Sequence, residues 1–426
     1  SDLLGEEVAA DLAKLQDQLP HFSAFEARRT IEAELGAPVD QLYLRFADTP
    51  VSAASISQVH FAVAMPDAKH PEGREVAVKV LRPDIELAFA RDIDLLLWIA
   101  EVIERTQPRL RRLKPVEVVK TFAATVRVEM DLRLEAASAA ELRDNFAGDP
   151  TYRVPEIDWN RTGRRVMTQE RLTGIPFDDA AAMQAAGLQV DDILAKAAGI
   201  FFNQAFRDGY FHGDQHPGNM SVGADGAIQA VDFGIMGRID KKTRFFLADM
   251  LMGFIENDYA RVAKVYVDAG YLPTSQSVED FTLALRSIGA PIHGRPLHEI
   301  SFARVLGQVF AIAETYDMEV QPQLLLLQKN MLMAEGVSRQ LHPHLNIWTL
   351  AQPLIEQWMI ENRGPQARDL FRGRRHARVR ACLCKDGLSA YLSCRNARRR
   401  PMADKANQAE VERNYQAFKA MLPELM

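Results

Sequence analysis

An Asp, an Asn five residues later and a second Asp thirteen residues beyond it carry the chemistry of this sequence. They are Asp214 and Asn219 in His212-Gly213-Asp214-Gln215-His216-Pro217-Gly218-Asn219, and Asp232 in Val231-Asp232-Phe233-Gly234. A carboxylate that orients an acceptor, followed by an amide and a second carboxylate that hold a divalent cation, is the order required by phosphoryl transfer of the kinase type. Asp214 is then the catalytic candidate. Asn219 and Asp232 are the candidate Mg²⁺ ligands, because Mg²⁺ takes hard oxygens and shares its shell with phosphate. His212, Asp214 and His216 alternate and are also metal-ligating types, but no companion ligand motif stands elsewhere in the chain.

Such a site needs elements that position it. Ala227–Val231 and Asn219–Val222 flank the turn signal Ala224-Asp225-Gly226-Ala227, so a short hairpin sets Asn219 at the entrance to one strand and Asp232 at the exit of the next. Upstream, Gln58–Val63 alternates and Glu75–Val80 is rich in valine, which predicts a second hairpin beginning after Pro50. Lys79 shares a strand face with Ala77, and a buried ammonium there needs an acidic partner. The periodicity from Val116 to Arg143 predicts one long helix carrying three candidates, Glu129, Asp131 and Glu135, and spacing alone does not choose between them. Before the hairpin, Val51-Ser52-Ala53-Ala54-Ser55-Ile56-Ser57 is a run of small residues where a backbone can approach phosphate, though Ala lacks the positive-φ freedom of Gly. The strand over Arg164–Leu172 leads into Thr173-Gly174, and backbone near Glu170 and Leu172 can meet an adenine edge.

The remaining chain reads as helix. Glu6–Leu19 and a segment capped by Ser23 and Glu26 precede any predicted strand. Beyond Gly237, helices are predicted over Lys241–Glu256, Tyr259–Asp268, Val278–Ile288, Phe302–Tyr316, Pro322–Leu341 and an amphipathic piece over Asn346–Ile360. With 47% hydrophobic and 25% charged residues in 426, the composition is that of a globular protein of two to three domains. The net charge of −6 is unevenly spread: residues 363–400 hold twelve Arg or Lys against two acidic residues, leaving −16 on the remainder. That basic stretch is a solvated tail or a surface for anionic lipid or nucleic acid. Its Cys382, Cys384 and Cys394 are the only cysteines, which argues against a disulfide scaffold and fits a reducing compartment. No apolar run reaches the length that spans a bilayer, so any membrane contact is expected to be peripheral.

Taken together and in this order, Ala53-Ala54-Ser55-Ile56-Ser57-Gln58-Val59-His60, the Val76–Lys79 strand, Glu129-Met130-Asp131, the Asp214 loop and Asp232-Phe233-Gly234 resemble the atypical protein-kinase-like family of UbiB and the coenzyme Q accessory kinases. The resemblance runs from Leu3 to about residue 370. It implies an α+β, two-lobed protein-kinase-like fold with an N-terminal helical extension over 1–46, an N-lobe with a helical insertion over 47–172, a largely helical C-lobe over 173–362 and a basic tail over 363–426. It implies that Glu135 pairs with Lys79, that Glu129 and Asp131 are a regulatory acidic pair facing the extension, and that Ala53, Ala54 and Ser55 replace the glycine loop of ordinary kinases. Nucleotide binding by these residues with Lys79, Glu170 and Leu172 follows, with ATP or ADP and Mg²⁺ as cofactors.

The resemblance further implies ATPase activity in support of ubiquinone biosynthesis, with prenyl-quinone precursors, anionic membrane lipids and quinone-biosynthesis enzymes as partners, no nucleic acid, and a cytoplasmic location at the inner membrane. A lipid kinase acting on a prenylphenol and a non-catalytic nucleotide-sensing scaffold are the alternatives. Gly213 stands where the common kinase loop has Arg, and the Gly234–Lys241 connection is short, so control by a phosphorylated activation loop is not expected. The family's Lys-x-Gly-Gln motif does not occur in this sequence, and nucleotide binding with altered turnover is expected of a chain without it.

Overall fold

The computed structural model describes residues 21–54, 56–107, 114–292, 301–316, 318 and 322–342, with positions 353, 354, 357, 358 and 360–362. Ser55, the helix expected over Glu6–Leu19, most of Asn346–Ile360, and the basic tail with its cysteines lie outside the described residues. The chain divides into two units, Ser1–Ile355 and Glu356–Met426, and the account below concerns the first.

Ser23 accepts from the Glu26 N–H at 3.2 Å while the Glu26 carboxylate accepts from the Ser23 N–H at 3.0 Å, and this reciprocal cap starts α1 (Ala24–Leu35). Gly36 in the left-handed region ends it. The short α2 (Val39–Leu42) passes into β1 (Tyr43–Phe46), a strand that lies inside the stretch read from sequence as helical extension. At four residues, its alternation is too brief to stand out from the helix before it. It pairs antiparallel with β3 (Ser57–Ala64), which also receives β2 (Ser52–Ala53); β4 (Arg74–Leu81) and β6 (Val166–Glu170) complete the sheet in the order β1-β3-β4-β6. Ile31 and Val39 pack on Tyr43, Val76, Val78, Val80 and Val166, so α1 covers one face of the sheet.

His60 is fully buried in this sheet. Its ring stacks on Phe46, Nδ1–H donates to the Ala47 carbonyl at 2.8 Å and Nε2 accepts from the Gln58 amide at 2.8 Å. Desolvation holds the imidazole below its ordinary value near 6.5, and the Ala47 carbonyl only partly opposes it. The unfolded chain therefore takes up this proton at higher pH than the folded chain does, and stability falls as pH drops below about 6.5. Urea unfolding at about pH 7.5 and pH 5.5 checks this. The unaltered chain should lose more stability than His60→Gln over that interval; equal losses would remove His60 from the account.

α3 (Ile85–Thr106) and α4 (Pro115–Glu129) follow the sheet, and then α5 (Leu132–Asn145). The single long helix expected over Val116–Arg143 is thus two helices. Asp131 is extended at φ −120°, its carboxylate accepts from the Arg133 N–H at 3.2 Å, and the Leu132 N–H turns to the Arg164 carbonyl at 2.9 Å. An Asp that satisfies the backbone in this way starts a new helix rather than continuing an old one.

A second sheet joins β5 (Tyr152–Arg153), β10 (Ile228–Ala230), β9 (Met220–Val222) and β7 (Ile175–Pro176), in that order. A two-stranded piece pairs β8 (Tyr210–His212) with β11 (Met236–Arg238). Between them stand α6 (Ala180–Ala185) and α7 (Val190–Phe202), the latter continuing as a π-helical turn over Asn203–Asp208. Leu132, Leu142, Met167, Met183, Leu194, Val222 and Phe233 share one core, which ties α5 to the second sheet. The helices α8 (Lys241–Glu256), α9 (Tyr259–Ala269), α10 (Val278–Gly289), α11 (Phe302–Thr315) and α12 (Pro322–Leu341) fall within one or two residues of their predicted limits.

Candidate phosphoryl-transfer site

Lys79 stands on the central strand β4, with Val59 and Met167 as its cross-strand neighbours. One turn into α5, Glu135 is placed inward by the break at Asp131, among Leu132, Ala136 and Ala139. Lys79 Nζ donates to both carboxylate oxygens of Glu135, at 2.8 and 2.9 Å, and lies 3.4 Å from Asp232 Oδ1. Glu135 Oε1 also accepts from the Phe233 N–H at 3.3 Å, so one buried carboxylate ties β4, α5 and the Asp-Phe-Gly segment together. Burial acts most strongly against the Lys79 charge, yet Glu135 and Asp232 outweigh it and hold the ammonium above its ordinary range. Burial is also the main influence on the Glu135 carboxyl, which it raises against the pull of Lys79.

Asp232 adopts φ +67°, a conformation that Asp and Asn tolerate better than other side chains. Its Oδ1 accepts from the Gly234 N–H at 3.3 Å. Burial pushes its carboxyl up, but Lys79 and the Gly234 N–H hold it below the ordinary carboxylate range. Asn219 is brought beside it by the hairpin: the Val231 N–H donates to the Asn219 carbonyl at 2.9 Å. The Asn219 amide NH₂ donates to the Asp214 carbonyl at 3.3 Å, which commits its nitrogen and leaves its oxygen for a ligand. An anionic carboxylate and an amide oxygen fit the protein share of a Mg²⁺ shell.

Both histidines of the loop shape it. His212 Nδ1 accepts from the Asp214 N–H at 3.1 Å, and His216 Nδ1 from the Gly218 N–H at 3.1 Å. Among the described residues, no three His, Cys, Asp or Glu side chains converge in a metal-holding arrangement. Buried beside Phe233, the His212 imidazole lies below its ordinary value because desolvation exceeds the pull of Asp232 and Asp214. Gly213 donates to the Ile235 carbonyl at 2.7 Å, and a Cβ there would stand 2.7 Å from Ile235 Cγ2. The Asp214 loop and the segment after Asp-Phe-Gly pack too closely for the Arg of the common kinase form.

Ala53 pairs with Gln58, the Ala54 N–H donates to the Ser57 carbonyl at 2.8 Å, and the Arg82 guanidinium donates to the Ala54 carbonyl at 3.1 Å. This alanine turn is therefore tethered one strand away from Lys79. Glu170 lies opposite Val76, and its N–H is already donated to the Glu156 carbonyl at 2.8 Å. Its carboxylate pairs with Arg153. Any adenine contact at this position falls to other backbone groups near the half-buried Leu172. Glu129 and Asp131 part company. Asp131 caps α5 and pairs with Arg133 at 2.6 Å, whereas Glu129 is half-buried toward the site, where burial and then the charge of Asp232 raise its carboxyl against Lys79.

Sequence reasoning missed two residues. From α12, Lys329 Nζ donates to Asp214 Oδ1 at 2.7 Å, and the buried Asn330 amide donates to the His212 carbonyl. The available signal was the polar Gln328-Lys329-Asn330 triplet interrupting an apolar helix.

Residues 14–266 match the family model described as the ABC1 atypical kinase-like domain, and residues 285–346 match that of the UbiB helical domain. The "Probable protein kinase UbiB" of Marinobacter nauticus is 42% identical over 368 residues, 85% of this chain and 66% of the relative. Its counterpart in Xanthomonas euvesicatoria pv. vesicatoria is 42% identical over 371 residues, 86% of this chain and 66% of the relative. The chain thus spans 66% of the length of these curated relatives. A solved structure titled as the complex of Rv3197 with erythromycin, from Mycobacterium tuberculosis, has a similar fold with TM-score 0.55 and 24% identity, covering 83% of this chain and 88% of that one. With the match to the ABC1 atypical kinase-like domain, that likeness places this chain in the two-lobed, kinase-like α+β class.

Proposed function

This chain belongs to the ABC1 atypical kinase-like family, and from that membership we propose that it is a Mg²⁺-dependent, kinase-like ATPase supporting ubiquinone or related prenyl-quinone biosynthesis. The observation that carries the reading is the Lys79–Glu135 ion pair held 3.4 Å from Asp232. A cation fixed on a sheet and anchored by a buried carboxylate is suited to the phosphates of ATP. Asn219 and Asp232 would hold Mg²⁺, which when bound neutralises charge on the phosphate oxygens. Asp214 would orient a water or hydroxyl toward the transferred group.

ATP hydrolysis is favoured over protein phosphorylation by two features. β11 begins two residues after Gly234 and folds straight back onto β8, with Met236 opposite His212, which leaves no span there for a peptide-docking loop. The alanine turn lacks the glycines that let a nucleotide lid flex. The relatives' name supports the quinone pathway, and the encounter with anionic lipid belongs to the same reading as a peripheral one. No described helix is long and apolar enough to cross a membrane.

Phosphate release from labelled ATP, with and without Mg²⁺, anionic vesicles and a prenylphenol, tests the proposal. Mg²⁺-dependent free phosphate is the expected result. Stoichiometric label on the prenylphenol would replace the ATPase by a lipid kinase, and nucleotide binding without turnover would replace it by a nucleotide-sensing scaffold.

A further inference from the structure

Each carboxylate on the acidic side of the site is met by a lysine from a distant element. Asp232 has Lys79 of β4 at 3.4 Å, and Asp214 has Lys329 of α12 at 2.7 Å. Between Arg207 and Arg238 the sequence has no Lys or Arg, although it carries Asp208, Asp214, Asp225 and Asp232. The loop therefore has no cation of its own for its catalytic carboxylate, and one is supplied by the helical region. The neighbouring Asn330 is buried and bonds the His212 carbonyl, so a single turn of α12 grips the loop twice, by its backbone and by its working side chain. With Asp214 Oδ1 taken by Nζ, Oδ2 is the oxygen that has no partner among the described residues.

We infer that Lys329 is a positioning residue of the phosphoryl-transfer site, holding the Asp214 carboxylate so that its second oxygen receives the acceptor water or hydroxyl. The inference rests on the phosphoryl-transfer reading above and assigns part of that machinery to the helical region outside the matched kinase-like segment. Phosphoryl transfer depends chiefly on positioning and fixed charge, and the orientation of the nucleophile is what this ion pair controls. A merely structural role fits poorly. The two side chains are 48% and 35% exposed, and ion pairs that meet solvent add little to stability.

The test is steady-state Mg²⁺-ATP turnover by the unaltered chain, Lys329→Met, Lys329→Arg, Asp214→Asn and the Lys329→Met/Asp214→Asn double variant, with melting temperature and binding of a fluorescent ATP analogue measured on each. Lys329→Met should lower kcat by about tenfold to a hundredfold with KM for ATP within about twofold of the original. Lys329→Arg should recover much of that loss, and the double variant should turn over no more slowly than Asp214→Asn alone, because the two residues act as a unit. Unchanged kcat in Lys329→Met, losses that multiply in the double variant, or a loss of kcat that follows a lowered melting temperature would each overturn the inference while leaving the reaction in place. No turnover by the unaltered chain would instead overturn the phosphoryl-transfer reading, and the role of Lys329 with it.

Discussion

Asp232→Asn should lower Mg²⁺-dependent ATP turnover by about a hundredfold or more while leaving the thermal midpoint nearly unmoved. The substitution keeps what the fold asks of the position. Asn accepts the left-handed backbone at φ +67° and retains an oxygen for the Gly234 N–H. Half of the side chain is exposed, so no core packing is lost. What disappears is the negative charge, which Lys79 keeps on the carboxyl throughout the neutral range by holding it below its ordinary value. Magnesium titrations of turnover beside calorimetric melting check the prediction. If neither turnover nor nucleotide binding responds, Asp232 is not a metal ligand.

Glu135→Ala should fail differently, by loss of the fold as well as of activity. Glu135 is 7% exposed and Lys79 14%, and removing one partner of a buried pair leaves the other charge uncompensated, at a cost of roughly 3 to 5 kcal/mol. The Phe233 N–H loses its acceptor in the same step. Glu135→Gln keeps an acceptor for both donors but not the charge, and should lose less stability than Glu135→Ala while turnover is much reduced. The double replacement Lys79→Met with Glu135→Leu should recover most of the stability and none of the turnover, since apolar groups can replace a buried ion pair in packing but not in binding phosphate. Urea unfolding paired with phosphate release distinguishes these outcomes. A Glu135→Ala chain as stable as the original would show that the pair is not sealed from water.

The arrangement of the candidate site was legible in one dimension wherever its residues lie close in sequence. Asp214, Asn219 and Asp232 are spaced by a loop and a hairpin whose turn signal is local, so their convergence follows from short-range geometry. The α1 cap at Ser23 and Glu26 and the limits of α8 to α12 are local in the same sense, set by side chains that meet their own backbone or repeat at the helical period. Legibility ended where a long-range partner competed with a local preference. The Asp131 break, the strand at Tyr43–Phe46 and the commitment of the Glu170 N–H to Glu156 each depend on a neighbour distant in sequence: Arg164 for the break, β3 for the strand, Glu156 for the hydrogen bond.

What the sequence by itself determined was the inventory: a lysine on a valine strand, three acids on the helical stretch after it, and the Asp-Asn-Asp order of the loop. Which acid meets Lys79 was open by spacing, because Asp131 and Glu135 share one face of the continuous helix that the periodicity predicts. The tertiary structure decided it by ending that helix, spending Asp131 on the cap and turning Glu135 inward to 2.8 Å from Nζ. It also brought Lys329 to Asp214 across 115 residues. No periodicity encodes that contact, because a lysine on a helix surface has the same local sequence whether it meets water or a carboxylate, and only the packing of α12 on the Asp214 loop distinguishes the two.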